Sequence, residues 1–433
     1  MAVHSGLLHA LRRGGAEVTV VARQSGSAVW KESGLRPRAW PEPDWHPDLL
    51  SRLQWRSRQA SSARFFKRSG GERWRHYLPA DGARRTSRAL LLPELQGRAF
   101  GLAERVWARL CRQHEGWRAV VEDADIVLLA SHSAPWALAA MRAAIRSRVA
   151  LSLLVNSWKD LAVCPHFSMA PDLVLAWNSD MADAYRAALG TRRRTSVVAL
   201  GSLHAAAVFA HRNNLSRDDF CAAHGLDPDR PYVLYTAASP SAVDGEPAIL
   251  AEIVRELEKA TPDVQVLLRC NPMEDGGRFG SLLSERNDLR LQRPLWEWDE
   301  RLDWCCCLPA DLPAWAGALR WAACNISVPS TVTLESAMFG TPVVNVAFDP
   351  DGVPPERSCV RFWHAPFYTR VRESGLARRA DGPREVAEIV RAIIAGTELR
   401  SPAGPCELAR NELGDWTRRG IERAAQAILG LAR

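Results

Sequence analysis

The sequence predicts an α/β protein with two doubly wound domains that face a cleft. At 433 residues the chain is too long for one ordinary core. Short strands alternate with amphipathic helices in two separate series, which predicts mainly parallel sheets covered on both faces. Ligands of such tandem domains usually bind where the carboxyl ends of the strands meet. A content of 47% hydrophobic and 24% charged residues is typical of a folded protein.

The first series defines a domain over residues 1–205. The spacing predicts these elements: helix 6–15, strand 17–23, strand 125–130, helix 135–146, strand 149–155, strand 172–177, helix 180–189 and strand 196–200. The opening helix and strand form the second half of a strand–helix–strand unit, so we expect this domain to lack its first strand. Either the chain start lies too far downstream or the domain is built unusually. Residues from about 30 to 117 are poorly patterned.

The second series defines a domain over residues 215–400, and residues 204–214 are expected to link the two. Ser216 is a plausible N-cap of its first helix. The spacing predicts these further elements: strand 232–236, helix 246–260, strand 264–269, helix 313–321, strand 324–327, helix 331–339, strand 342–346 and helix 384–395. We expect residues 405–433 to form a helix that packs back toward the first domain.

Composition and charge exclude several classes of protein. No apolar run spans a bilayer and no secretory signal opens the chain, so we expect a cytoplasmic protein. The ten cysteines are not at zinc-ligand spacing, which predicts free thiols and no metal site. The net charge of +7 comes almost entirely from arginine and favours anionic partners. No signature of a nucleic-acid-binding fold accompanies that charge, so we expect no nucleic-acid partner.

The segment 52–85 mixes basic residues with aromatics such as Trp55 and Phe66. Such a segment could contact an anionic membrane or a lipid-phosphate acceptor at the inner face of the membrane. A solvated helical face is the alternative interpretation.

The segment 325–344 carries the strongest chemical signal. It reads NISVPSTVTLESAMFGTPVV, a short strand that stops at Pro329 and a helix capped by Ser330 or Thr331. The free N–H groups and positive dipole end of that helix suit a diphosphate, although ordinary capping is the alternative. Glu335 comes two positions too late for a capping box. A carboxylate that accepts ribose hydroxyls would explain it, with a solvated or salt-bridged glutamate as the alternative. We expect Glu335→Ala to remove nucleotide binding and leave the fold unchanged.

This pattern resembles the donor-binding helix of GT-B glycosyltransferases, whose domains are Rossmann-like. It is most similar to the surface-polysaccharide and teichoic-acid branch, which includes the CDP-glycerol glycerophosphotransferases and, more distantly, UDP-GlcNAc 2-epimerase. The resemblance implies that Ser330 and Thr331 hold the donor diphosphate and that Glu335 holds the ribose. It implies a nucleotide-sugar donor as substrate, with no further cofactor.

Other segments agree with the resemblance, which covers residues 149–395. Ser157-Trp-Lys-Asp160 and a later Pro-Asp…Trp-Asn pair are similar to a pattern of uncharacterised bacterial relatives. Segment 226–236 resembles the lead-in to the first strand of their second domain, which implies that Ser239 in the next loop faces the phosphates; a plain turn is the alternative. An aromatic–His–Tyr segment contains His364, which would meet the phosphates or acceptor, or pack between domains.

The sequence departs from the family pattern at two places, Asn271 and Lys159-Asp160. Arg269 is expected near the phosphates, but Asn271 stands where relatives usually have histidine in Arg-x-His-Pro. Asparagine donates a neutral hydrogen bond and carries no charge. Lys159-Asp160 replaces the expected Asp-Asn.

The candidates for a catalytic base follow predicted strands of the first domain. An inverting transferase needs a carboxylate or imidazole to take the acceptor proton. Asp160 and His132 are in suitable places, although His132 could be a hydrogen-bonded loop residue. A retaining mechanism needs no such base.

The resemblance implies transfer of a sugar to a glycan or lipid-linked acceptor in surface-glycan or cell-envelope synthesis. Transfer of a polyol phosphate from a CDP-linked donor is an alternative. A degenerate, non-catalytic GT-B binding protein is another, favoured by Asn271 and the missing strand.

Overall fold

A computed structural model describes residues 4–22, 25–39, 115–131, 135–163, 170–189, 195–299, 304–355, 357–396 and 407–432. These residues divide into two compact units. The first comprises Met1–Ser25, Pro37–Ala206 and Leu413–Arg433, and the second Gly26–Arg36 and Ala207–Glu412. The end of the chain therefore groups with the first unit, and the segment 26–36 groups with the second.

The described elements are listed in chain order. Up to residue 210 they are α1 (Leu7–Arg13), β1 (Val21–Ala22), α2 (Ala28–Glu32), β2 (Arg38–Ala39), α3 (Glu115–Val121), β3 (Ile126–Leu129), α4 (Pro135–Ser147), β4 (Ala150–Leu154), α5 (Asp160–Val163), β5 (Leu173–Ala176), α6 (Ser179–Leu189), β6 (Ser196–Ala199) and α7 (Leu203–Ala210). From residue 217 they are α8 (Arg217–His224), β7 (Tyr232–Thr236), α9 (Glu246–Ala260), β8 (Gln265–Arg269), α10 (Gly280–Glu285), β9 (Leu289–Gln292), β10 (Trp296–Asp299), β11 (Trp304–Cys307), α11 (Asp311–Trp321), β12 (Cys324–Ser327), α12 (Thr331–Met338), β13 (Val343–Val346), α13 (Val360–Trp363), α14 (Thr369–Ser374), β14 (Ala377–Ala380), α15 (Pro383–Ile394), α16 (Glu407–Leu413) and α17 (Arg418–Leu429).

The sheet of the first unit has the order β3-β4-β5-β6, with all strands parallel. One face packs against α1 and α17 through a cluster that includes Leu7, Leu154, Leu175 and Ile428. The strand expected over residues 17–23 is shorter, since only β1 forms, and it pairs with β2 rather than with this sheet. The β-branched run finds a backbone partner over two residues only, while Val18 packs on the core instead.

Glycines allow the segment after residue 413 to lie against the ends of β5 and β6. Gly414 has φ +67°, and a Cβ there would lie 1.9 Å from the carbonyl oxygen of Trp177. Gly201 has φ +110°, and a Cβ there would lie 2.0 Å from the carbonyl oxygen of Asp415. Only glycine permits both the backbone conformation and the close approach.

The sheet of the second unit has the order β14-β13-β12-β7-β8-β9, again entirely parallel. Successive residues of β7 alternate between two cores, Tyr232 and Leu234 in one and Val233 and Tyr235 in the other. Both faces of the sheet are therefore buried. The chain starts in the middle of the sheet, proceeds outward through β8 and β9, and then returns to build β12 to β14. The order reverses between β7 and β12, which is the topological switch point of a doubly wound fold.

The boundary between the two units lies after Ala206, within the expected link over residues 204–214, and α7 occupies the first part of that segment. Ser202 caps this helix, its Oγ accepting from the backbone N–H of Ala205 at 3.2 Å. Alanine is the best helix former, and three alanines follow His204.

Candidate functional site

Two loops meet at the switch point of the second unit. Thr236, the last residue of β7, is in register with Ser327, the last residue of β12. The loop 237–245 leaves β7 and the loop 328–330 leaves β12 at the same edge of the sheet. In open α/β sheets this is where ligands bind.

The start of α12 presents unused hydrogen-bond donors. Ser330 is the N-cap with an extended backbone, and its side chain makes no capping hydrogen bond. The backbone N–H of Thr333 reaches the carbonyl of Ser330 at 3.2 Å, whereas the N–H groups of Thr331 and Val332 precede any intrahelical acceptor. All three residues from 330 to 332 are half-buried. This arrangement suits a bound anion.

Glu335 lies one turn into the same helix and is only 4% exposed. The indole Nε1 of Trp315 on α11 donates to its Oε2 at 3.0 Å. Burial excludes the interpretation of a solvated glutamate. It also corrects the expectation for Glu335→Ala, because that change would leave a buried indole N–H without this acceptor.

Arg269 ends β8, but its guanidinium is committed to protein groups. Its Nη2 donates to Asp311 at 2.6 Å and its Nη1 donates to Gln292 at 3.0 Å. The guanidinium also stacks 4.5 Å from the centre of the Trp315 ring. Asp311 further accepts from the indole of Trp296 at 3.0 Å. Arg269 therefore supports the Trp315 side chain that holds Glu335, and its charge is already balanced by a buried carboxylate.

Ser239 lies in the loop after β7, half-buried, with its Oγ 2.9 Å from that of Ser241. Arginines from the region after β13 hold the same loop. Arg357 donates to the carbonyl of Pro240 at 2.7 Å, and Arg361 donates to that of Ala242 at 2.7 Å. The loop thus has a fixed backbone path.

Glu246, the first residue of α9, holds this loop by a hydrogen bond to its backbone. It is fully buried and accepts from the backbone N–H of Ala238 at 2.9 Å, from Tyr235 Oη at 3.2 Å and from Arg278 at 2.7 Å. Burial raises the pKa of Glu246 to about 7, against the opposing effect of Arg278. Sequence reasoning missed this residue, because an acid at the start of a helix is ordinarily a favourable dipole partner.

Asn271 lies in the loop after β8, two residues beyond Arg269. Its Oδ1 accepts from the backbone N–H of Met273 at 3.1 Å, and its own N–H donates to Glu274 at 3.2 Å. The side chain therefore closes an Asx turn. Ser239, Asn271, Ser330 and Thr331 all lie in segments that follow adjacent parallel strands at one edge.

His364 ends α13, in the connection from β13 to β14, and is half-buried. Tyr368 in the same connection is fully buried, with its hydroxyl 2.8 Å from that of Thr333 and hydrogen-bonded to Asn345. The connection is thereby tied to the first turn of α12.

A second buried polar contact holds α12 to the sheet. Asn325 in β12 donates to Ser336 at 2.9 Å and accepts from Thr236 at 3.2 Å. Sequence reasoning did not single out these groups. The signal available was an asparagine inside a short strand expected to be buried, because a buried amide needs polar partners.

Asp160 belongs to the first unit and begins α5. The backbone N–H of Ser157 donates to Asp160 Oδ2 at 3.1 Å, and that of Lys159 donates to Ser157 Oγ at 3.4 Å, so both side chains accept backbone N–H groups at the turn that leads into α5. Burial raises the pKa of Asp160 to about 6, against hydrogen bonds from Ser157 and Asn156. His132, the other candidate base, lies outside the described residues.

The basic-aromatic segment 52–85 also lies outside the described residues. Within the part of the chain that the structure describes, no helix has the length and apolarity needed to cross a membrane. No group of three or more acidic, histidine or cysteine side chains among the same residues could hold a metal ion.

Comparisons with known proteins decide the fold. Neither a family model nor a curated protein matches the sequence. Among solved structures, S. aureus MnaA with UDP has a TM-score of 0.56 at 13% identity, covering 99% of this chain and 94% of that one. A putative UDP-N-acetylglucosamine 2-epimerase from Listeria monocytogenes has a TM-score of 0.54 at 14% identity, covering 99% and 91%.

The chain has the GT-B fold. The fold expected from the segment around Ser330 is thus confirmed. The sheet of the second unit contains the topological switch point, and α12 is the helix whose sequence resembles the donor-binding helix of GT-B glycosyltransferases.

Proposed function

We propose that this chain is a glycosyltransferase-like enzyme that uses a nucleotide-activated sugar in surface-glycan or cell-envelope synthesis. The observation that carries the proposal is the start of α12, where Ser330 and two backbone N–H groups have no capping partner among the described residues and a buried carboxylate follows within the same helix. The first feature suits a diphosphate and the second suits a ribose.

In this proposal the donor lies on the second unit. Ser330 and Thr331 bind the diphosphate, Glu335 accepts ribose hydroxyls, and Ser239 and Asn271 add neutral donors from adjacent loops. His364 contacts the phosphates or the acceptor. Arg269 acts through Trp315 rather than on the phosphate, because Asp311 already holds its charge. The donor is the substrate, and no further cofactor is needed.

The acceptor would be a glycan or a lipid-linked molecule, with Asp160 as the base that takes its proton. A carboxylate with a pKa of about 6 is ionised at neutral pH and still basic enough for proton transfer. The basic segment 52–85 would then contact an anionic membrane at its cytoplasmic face.

Epimerisation of a UDP-sugar is the second candidate function. The structure of S. aureus MnaA contains UDP, and that of the Listeria monocytogenes protein is named as a putative UDP-N-acetylglucosamine 2-epimerase. This candidate shares the donor site of the proposed transferase but needs no acceptor.

A turnover assay separates the candidates. UDP-GlcNAc, GDP-mannose, dTDP-glucose and CDP-glycerol are each incubated with the protein, with and without a polyprenyl phosphate in detergent. Acceptor-dependent release of a nucleoside diphosphate is the expected result. A changed sugar configuration in the proton NMR spectrum would indicate epimerisation, and release of CMP would indicate polyol-phosphate transfer. Binding without any turnover would contradict an enzymatic role.

A further inference from the structure

Arg278 connects the two loops that leave β7 and β8. It lies in the short 3₁₀ helix Gly277–Phe279, downstream of the β8 loop, and its side chain is 20% exposed. Its Nη2 donates to the carbonyl of Ala238 at 2.8 Å in the β7 loop. Its Nε and Nη2 donate to Glu274 in the β8 loop at 2.7 Å and 2.9 Å. One guanidinium therefore bridges both loops.

Two carboxylates fix the orientation of that guanidinium. Glu246 accepts from Arg278 at 2.7 Å while also accepting from the backbone N–H of Ala238. Glu274 accepts from Arg278 and also from the backbone N–H of Asn271 at 3.2 Å. Each carboxylate thus joins Arg278 to the backbone of one loop.

The geometry of this bridge requires arginine. A guanidinium is a planar fork whose several N–H donors hold fixed directions, whereas an ammonium is a single charged point on a flexible stem. Lysine at residue 278 keeps the charge and the neutralisation of the buried Glu246. It cannot reach both carboxylates and the carbonyl of Ala238 with fixed geometry.

We propose that Arg278, held between Glu246 and Glu274, is a positioning residue that fixes the spacing of loops 237–245 and 270–276 and thereby sets the affinity for the donor diphosphate. The effect on affinity rests on the proposed function, whereas the spacing of the loops does not. Arg278 touches no substrate atom in this account. It acts through the backbone that carries Ser239 and Asn271.

The test compares Arg278→Lys with Arg286→Lys. Arg286 also forms an ion pair in the second unit, with Glu258 at 2.9 Å. It precedes β9 and therefore lies at the amino ends of the strands, whereas the two loops leave their carboxyl ends. Measurements at pH 8 keep Glu246 ionised in the parent protein, since its pKa is about 7. The first readout is amide hydrogen exchange without ligand, and the second is calorimetric titration with UDP.

In Arg278→Lys we expect amide exchange in both loops to rise together, by about tenfold, and UDP affinity to fall by about tenfold, the effect of losing one or two hydrogen bonds. Arg286→Lys should change neither quantity. Unchanged exchange, or a rise in one loop alone, would overturn the bridge whether or not UDP binds. Raised exchange in both loops with parental UDP affinity would overturn the effect on binding and leave the proposed function intact. A parent protein that binds none of UDP, GDP, CDP and dTDP would refute the proposed function, and the exchange data would still decide the bridge.

Discussion

At the scale of the residue, Asp160 makes a structural hydrogen bond and also has a raised pKa that suits a general base. Its carboxylate accepts from the backbone N–H of Ser157, which stabilises the start of α5. Burial nevertheless raises its pKa to about 6. Because the shift is upward, the contribution of Asp160 to stability is fully present below about pH 4 and is lost as the pH rises through 6. Activity and stability should therefore respond to pH in opposite directions.

We expect kcat/KM to rise with pH and to level off above a midpoint near 6, where Asp160 becomes ionised. Asp160→Asn should lower kcat/KM by roughly 10²–10⁴-fold and remove that midpoint, because the amide cannot take a proton. The control is Asp183→Asn, which affects an exposed carboxylate on α6 paired with Arg186. A midpoint near 6 that survives in Asp160→Asn would show that another group is the base.

Individual site residues were only partly predictable. Glu335 attracted attention because its helical position did not fit a solvated carboxylate, and it is indeed buried. Its partner Trp315 lies 20 residues away on another helix, so no local pattern pairs them. Arg269 ends a strand as expected, but the sequence could not show that Asp311 neutralises its charge. Partners brought together by tertiary packing leave no trace in local spacing.

At the scale of the element, buried parallel strands were the most predictable. The bounds of β7 and β12 match the expectation: β7 is a short, mostly apolar run that ends at Thr236, and β12 ends at Ser327, shortly before Pro329. The strand β14 has the sequence ARRA at the edge of its sheet and was not expected. The antiparallel pair of β10 and β11 was also missed: β10 (WEWD) alternates in polarity, but its partner β11 (WCCC) does not.

We expect Gly414→Ala to destabilise the first unit strongly. A left-handed backbone costs alanine about 1–2 kcal/mol, and the clash with the carbonyl of Trp177 adds about 1–3 kcal/mol. The control is Gly15→Ala, in the same unit, where φ is +92° and an added Cβ would meet no other described residue within 4 Å beyond its chain neighbours. Urea denaturation followed by circular dichroism measures both. Equal losses in the two variants would show that the close approach contributes nothing.

At the scale of the whole molecule, two series of alternating strands and helices predicted two doubly wound domains, and the resemblance of segment 325–344 indicated the GT-B fold. The division into units was less accessible. The segment 26–36 groups with the second unit, where Glu297 accepts from the backbone N–H of Ala28 at 2.7 Å. These residues are 269 positions apart, so periodicity carries no information about their contact.

The central claim is that the second unit binds a nucleotide through Glu335. Glu335→Gln tests it better than alanine, because glutamine keeps the volume and an acceptor for Trp315 while removing the charge. The matched control is Glu388→Gln on α15, an exposed glutamate paired with Arg384.

The deciding measurement is calorimetric titration of UDP, GDP, CDP and dTDP into the parent, Glu335→Gln and Glu388→Gln. The account predicts that at least one nucleotide binds the parent and Glu388→Gln equally. It also predicts that Glu335→Gln binds that nucleotide at least about tenfold more weakly, the loss expected for a hydrogen bond to a charged group. Parental affinity in Glu335→Gln, or no binding of any of the four nucleotides to the parent, would contradict it.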